Sequence, residues 1–318
     1  MDQPDILMTA TMLPVVMGTL ENRATVHRLW EHDAATFLRE VGPRIRGMAT
    51  STLFGRVGAE DFDRLPNLEI VASFGVGYDN VDVVAAARRG IVVTNTPGVL
   101  DDEVADLTIG LLIATLRQIP RADRFLRDGQ WLERSFPLSP TLRGRRIGIV
   151  GLGRIGMAVA RRLDGFDVAI AYHGRSRQPG VGYAYHPTAV ELAAASDVLI
   201  VLAPGGAGTR HLIDAAVIAA LGSNGVLINV SRGSLVDEAA LIAALRSGAL
   251  LAAGLDVYED EPRVAQALIE LPNTVLLPHI ASGSVATRTA MGKLVADNLI
   301  AWFETGTSLT PVGNTSPA

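Results

Sequence analysis

Arg146-Ile147-Gly148-Ile149-Val150-Gly151-Leu152-Gly153-Arg154-Ile155-Gly156 is the stretch on which the fold turns. Arg146–Val150 is an apolar run of strand length, and Arg154–Leu163 carries helical spacing. Between them lies G-x-G-x-x-G. Gly151 permits a tight turn, Gly153 has no side chain to block a diphosphate, and Gly156 lets the helix pack close on its strand. The free N–H groups and positive dipole end at the helix start then meet the anion. Residues Gly151, Leu152, Gly153, Arg154, Ile155 and Gly156 are therefore the expected diphosphate contacts. With 32 glycines in the chain the pattern alone is weak. The strand before it and the amphipathic helix after it favour dinucleotide binding over an ordinary glycine turn.

Outward from this loop, strands and helices alternate. Downstream, strands are predicted over 168–172, 198–202, 225–229, 251–256 and 275–278, with helices over 189–195, 213–220 and 238–247. Upstream, strands are predicted over 6–10, 47–50, 70–73 and 91–94, with helices over 34–41, 59–64 and 81–89, the last stopping at Gly90. Such alternation implies an α/β fold of two mostly parallel sheets covered by helices. Longer helices are expected over 102–118 and 285–303. The last is expected to pack back on the first sheet. That gives a discontinuous substrate-binding domain, 1–99 plus 285–318, and a dinucleotide-binding domain, 100–284, with the ligand in the cleft between them.

Of the 318 residues, 48% are hydrophobic and 19% charged, which describes a globular chain with ample core. The formal net charge of −5 and the lack of a long basic run argue against a nucleic-acid partner. They do not argue against an anionic ligand, because local and net charge differ. There is no cysteine, so disulfides, thiolate chemistry and cysteine-held zinc are excluded, and no metal is expected. The start, Met1-Asp2-Gln3-Pro4-Asp5, lacks the basic flank of a signal peptide. The greasiest stretch, 107–116, is too short to cross a bilayer. A cytoplasmic protein without a membrane partner is the expectation.

The strand after the glycine loop decides which nicotinamide fits. NAD sites place Asp or Glu roughly 20 residues on, at that strand's end, for the ribose 2′-OH. Here the strand ends Ala171-Tyr172-His173-Gly174-Arg175-Ser176-Arg177, with no carboxylate to repel a 2′-phosphate. Arg175 and Arg177 can pair with such a phosphate, and Ser176 can donate to it. NADP(H) is therefore preferred over NAD(H), which is expected to be used weakly.

Three further strand ends carry candidate chemistry. Asn229-Val230-Ser231-Arg232-Gly233 offers a guanidinium that can bridge a keto oxygen and a carboxylate. Asp256-Val257-Tyr258-Glu259-Asp260-Glu261-Pro262 is an acidic cluster whose plainer reading is a solvated turn. Leu277-Pro278-His279-Ile280 sets a histidine in apolar surroundings. A lone histidine of this kind is more often structural, and His27, His32, His173, His186 and His211 are read that way, with His173 also a candidate to line the cofactor loop.

His279 stands out through its company. Phe74-Gly75-Val76-Gly77-Tyr78-Asp79-Asn80, Asn95-Thr96-Pro97-Gly98-Val99, the Gly151 to Gly156 loop, Asn229 to Gly233, Leu255 to Pro262, and Pro278-His279-Ile280 occur in this order. In this the chain closely resembles the D-isomer-specific 2-hydroxyacid dehydrogenase family, over nearly its whole length. It is most similar there to glyoxylate/hydroxypyruvate and hydroxyphenylpyruvate reductases, and the Gly174-Arg175-Ser176 loop resembles the NADPH-preferring members. The resemblance implies two Rossmann-like, doubly wound domains with the active site in the cleft, and a homodimer built through the cofactor domain. It implies Arg232 as the substrate-binding arginine, His279 as proton donor and Glu261 as the acid that pairs with it. Backbone N–H groups at Val76 and Gly77 would hold the substrate carboxylate. Val230 and Asp256 would contact the nicotinamide side, and Pro204 the cofactor. A carboxylate beside an imidazole favours the imidazolium, which suits a proton donor.

Two departures stand against the pattern. Asp101 occupies a place where the family often carries threonine, and its carboxylate is expected to point away from the cofactor phosphates. The segment Ala203-Pro204-Gly205-Gly206-Ala207-Gly208-Thr209-Arg210 lacks a family threonine after Pro204, and its glycines suggest flexibility. Leu53 and Phe54 are candidates to face the substrate side chain, and Trp131 and Phe136 to cap the cleft. The rivals are an NAD-dependent relative acting on formate or phosphoglycerate, and a corepressor-like protein that senses nucleotide without turnover.

Overall fold

In the computed structural model, which describes residues 3–51 and 55–313, the first five strands are β1 (Asp5–Met8), β2 (Thr25–Arg28), β3 (Ile45–Ser51), β4 (Ile70–Phe74) and β5 (Val92–Thr94). All pair in parallel, in the order β2-β1-β3-β4-β5. This is a doubly wound order in which the chain starts in the sheet's interior and winds both ways. The inner strands β1, β3 and β4 are mostly buried because helices cover both faces. One covering element is the C-terminal helix Val285–Thr305, started by the Ser284 hydroxyl, which accepts from Thr287 N at 3.2 Å. Its Val295, Ala296 and Leu299 join Ile6, Met8 and Ala72 in one apolar cluster. Gly47 lets this helix approach, since a Cβ there would sit 3.1 Å from Phe303 and 3.2 Å from Leu299. Leu53 and Phe54 lie outside the described residues.

Seven more strands follow: β6 (Arg146–Val150), β7 (Ala169–His173), β8 (Ala184–His186), β9 (Val198–Val201), β10 (Val226–Asn229), β11 (Ala252–Leu255) and β12 (Thr274–Leu276). They too are parallel, in the order β12-β11-β10-β9-β6-β7-β8. The direction of winding reverses between β6 and β9, and open sheets of this kind bind ligands beside that reversal, at the strands' C-terminal ends. Every residue of β9, β10 and β11 is buried. Gly254 is needed there, because a Cβ would fall 2.4 Å from Thr115 Oγ1 on the covering helix Asp101–Arg117. That helix ends at Arg117. Gln118 takes φ +53, and Pro120 opens a separate helix, Ile119–Arg127.

The two sheets belong to two compact units, Met1–Leu100 with Ser284–Ala318 and Asp101–Gly283. Among the described residues, no helix is long and apolar enough to cross a membrane. No group of three or more histidine, aspartate or glutamate side chains there could hold a metal ion.

Candidate active site

The turn after β6 shows why each glycine is present. Gly151 has φ +97, and a Cβ there would lie 2.5 Å from the backbone nitrogen of Ala203, just past the end of β9. A Cβ on Gly156 would lie 2.5 Å from the Gly151 carbonyl oxygen. Gly153 differs: a Cβ would meet nothing within 4 Å, so it faces open space at the start of the helix Arg154–Leu163. Gly153 caps that helix without a side chain, which leaves the first-turn N–H groups for an outside acceptor. Leu152 is buried, Ile155 half-buried and Arg154 exposed. A strained turn, an open cap and a close helix together form a cradle that a diphosphate fits.

The loop after β7 is braced at both ends. Tyr185 Oη donates to the Gly174 carbonyl at 3.2 Å, and Gln178 N donates to Tyr172 Oη at 2.7 Å. Gln178 Nε2 reaches back to the Leu152 carbonyl at 2.6 Å, tying this loop to the glycine turn. Arg175, Ser176 and Arg177 are exposed between these ties. Neither arginine makes an ion pair among the described residues. His173 does not enter the loop; its Nδ1 lies 3.1 Å from the His186 carbonyl, joining β7 to β8. Two exposed guanidinium groups with no ion-pair partner among the described residues suit a ribose 2′-phosphate.

At the other half of the same edge, three adjacent strands deliver Arg232, Glu261 and His279. The segment after β10 is shaped by Asn229, whose side chain donates to Arg232 O at 2.9 Å and accepts from Ser231 N at 3.1 Å. Gly233 presses this segment against the next one; a Cβ there would fall 1.8 Å from the Tyr258 carbonyl carbon. Val230 is buried, and the Ser231 hydroxyl donates to Ala203 O beside Pro204. After β11, Tyr258 locks the turn. Its hydroxyl donates to Leu277 O at 2.9 Å, and its N–H donates to Glu261 Oε1 at 3.0 Å. The other carboxylate oxygen, Oε2, lies 2.7 Å from His279 Nδ1. Burial alone would push Glu261 up, but the His279 hydrogen bond and charge, the Tyr258 N–H and the Arg232 charge hold it below the usual carboxylate range. Both members of the pair keep a quarter of their side-chain surface exposed, so the site is open to a small ligand.

His279 is held in an uncommon backbone conformation, φ +54. Asp256 explains how. Its main-chain carbonyl accepts from His279 N at 2.9 Å, and its side-chain oxygens accept from Ile280 N and Ala281 N, each at 2.8 Å. Asp256 is fully buried, and burial raises its carboxyl above the ordinary value against the lowering pull of those two N–H groups. This clamp on the histidine turn is not visible in the sequence, where Asp256 reads as a strand-end acid with an implied nicotinamide-side role.

Other expectations meet the structure unevenly. Val76 and Gly77 follow β4 in the first unit, half-buried, with the Val76 carbonyl held by Asn95 Nδ2 at 2.8 Å. The 203–210 segment is less free than its glycines suggest. Thr209 Oγ1 donates to Pro204 O at 2.8 Å, and Glu259 Oε1 anchors the far end through Arg210 at 2.5 Å and His211 at 2.9 Å. Phe136 packs edge-on to Phe125 at 5.3 Å, while Trp131 is 68% exposed. Asp101 Oδ2 lies 3.6 Å from Nε of Arg154, the first residue of the helix after the glycine loop.

Residues 109–281 match the family model "D-isomer specific 2-hydroxyacid dehydrogenase, NAD binding domain". The chain is 46% identical to hydroxyphenylpyruvate reductase of Plectranthus scutellarioides, covering 98% of this chain and all of that one. It is 45% identical, over the same shares, to a glyoxylate/hydroxypyruvate reductase of Arabidopsis thaliana. The crystal structure of an NADPH-dependent glyoxylate/hydroxypyruvate reductase from Sinorhizobium meliloti, in complex with NADP and malonate, superposes with a TM-score of 0.95. Sequence identity to it is 53%, with 99% of this chain and 98% of that chain covered. The chain belongs to the D-isomer specific 2-hydroxyacid dehydrogenase family.

Proposed function

We propose that the protein reduces small 2-keto acids, glyoxylate and hydroxypyruvate first and phenylpyruvate-type acids second, to D-2-hydroxy acids at the expense of NADPH. The observation that carries this reading is the 2.7 Å contact between Glu261 and His279, one strand away from the segment bearing Arg232. The glyoxylate/hydroxypyruvate and hydroxyphenylpyruvate reductases among the relatives support the substrate class. The exposed Arg175 and Arg177, without an ion pair among the described residues, and the NADP held by the Sinorhizobium enzyme support the cofactor.

In this reading Gly151–Gly156 takes the diphosphate, Gly174–Arg177 takes the 2′-phosphate, and Pro204, Val230, Arg232 and Asp256 lie along the rest of the dinucleotide. Bound there, the nicotinamide supplies the hydride. Arg232 orients the keto acid by its fork of donors and stabilises the negative charge that grows on the carbonyl oxygen. Val76 and Gly77 offer backbone N–H groups to the substrate carboxylate. Glu261 accepts from His279 Nδ1, which fixes the ring and leaves Nε2 to carry a proton. His279 gives that proton to the carbonyl oxygen as it becomes an alcohol. The same reading includes a homodimer formed through the second unit, where Trp131, Leu132 and Leu138 expose apolar surface for a partner copy.

The test is a panel of 2-keto acids with purified protein, followed by loss of reduced nicotinamide absorbance. Glyoxylate or hydroxypyruvate should be turned over with a higher kcat/KM for NADPH than for NADH. Substituting Arg175→Ala should erode the NADPH value and spare the NADH value. No turnover on any 2-keto acid, or a preference for NADH, would overturn the reading.

A further inference from the structure

We propose that Asp101 is a built-in counter-charge to Arg154 that weakens the grip on the dinucleotide. The inference rests on the reading that the Gly151–Gly156 loop receives the diphosphate. Arg154 is the first residue of the helix whose open N-terminus faces that site. Its guanidinium is the loop's own cation, with two thirds of its side-chain surface exposed. Asp101 Oδ2 lies 3.6 Å from Arg154 Nε, yet only 15% of the Asp101 side chain reaches solvent, so water screens it poorly. Nor is the carboxylate free to withdraw with its helix. Arg162, on the Arg154 helix, donates to Asp106 at 2.5 Å and to Asp102 at 3.1 Å, which ties Asp101–Arg117 to Arg154–Leu163.

An arriving diphosphate must therefore share Arg154 with Asp101. An uncharged residue at this position would leave Arg154 to the ligand alone. The diphosphate is common to both nicotinamide dinucleotides, so Asp101 acts on affinity and not on the choice between them. That separates its effect from that of Arg175 and Arg177.

Equilibrium binding of NADPH and of NADH, read by fluorescence titration or calorimetry, tests this on the intact protein. Asp101→Thr and Asp101→Asn remove the charge while keeping short polar side chains that suit a helix start. Each should tighten both dissociation constants by the same factor, about three- to thirtyfold, the range expected for two unit charges several ångströms apart at a partly exposed site. The gain should shrink as salt is raised, since the Debye length is only about 10 Å at 0.1 M. Asp101→Glu, which keeps the charge, should bind as the unaltered protein does. Unchanged or weaker affinity in both neutral variants would overturn the proposal, as would tightening confined to NADPH. Failure of the unaltered protein to bind either dinucleotide would instead overturn the functional reading beneath it.

Discussion

Glu261 is a carboxylate on which burial and charge pull in opposite directions. Burial disfavours its ionised form, yet the hydrogen bond and charge of His279, the Tyr258 N–H and the Arg232 charge win, and the group titrates below the ordinary range. A carboxyl lowered by folding contributes stability that is present above its unfolded value and is lost as the pH falls through its lowered folded value. The stability gap between the unaltered protein and Glu261→Gln should therefore be widest near neutrality and narrow on acidification, as read by thermal melts across pH. A constant gap would show that the charge of Glu261 is not what matters. The same variant should lose kcat on the order of 10²–10⁴-fold, because a neutral amide can hold the imidazole ring in place but does not favour the imidazolium. At this scale the sequence was readable where a motif string carried the residue, as for Arg232, Glu261 and His279. It did not show the hold of Asp256 on Ile280 and Ala281 or the pairing of Asp101 with Arg154, because these partners lie far along the chain. Only folding sets such distances.

The elements that matter most are strand ends and the loops leaving them. β6 and the helix Arg154–Leu163 fall where hydrophobic spacing puts them, because both are long enough for a period to show. The edge strands β2 and β8 were missed. Four and three residues long, rich in histidine, threonine or arginine, they carry no alternation and exist through pairing with β1 and β7. The arginine loop after β7 was legible in composition but not in its bracing. Gln178 and Tyr185 hold it in one shape before any ligand arrives, and a preorganised loop spares the ligand the cost of ordering it. Gln178→Ala should therefore lower the NADPH-to-NADH ratio of kcat/KM by roughly three- to tenfold, the order expected for ordering one or two side chains. An unchanged ratio would mean that the loop needs no brace.

For the molecule as a whole, the sequence marked 285–303 as a long helix, and burial of Val295 and Leu299 against Ile6 and Met8 packs that helix on the first sheet. Net charge was a poor guide by comparison. The chain carries −5 overall, yet exposes Arg154, Arg175 and Arg177 around the candidate cofactor loops. All three candidate catalytic side chains come from one continuous stretch of strands, β10 to β12, within the second unit. Steady-state turnover of a 2-keto acid with NADPH by the His279→Ala variant is the most direct test of their assignment. A fall in kcat of about 10²–10⁴-fold, with NADPH still bound as tightly as before, is the expected result for loss of a positioned proton donor. Turnover equal to that of the unaltered protein would contradict it.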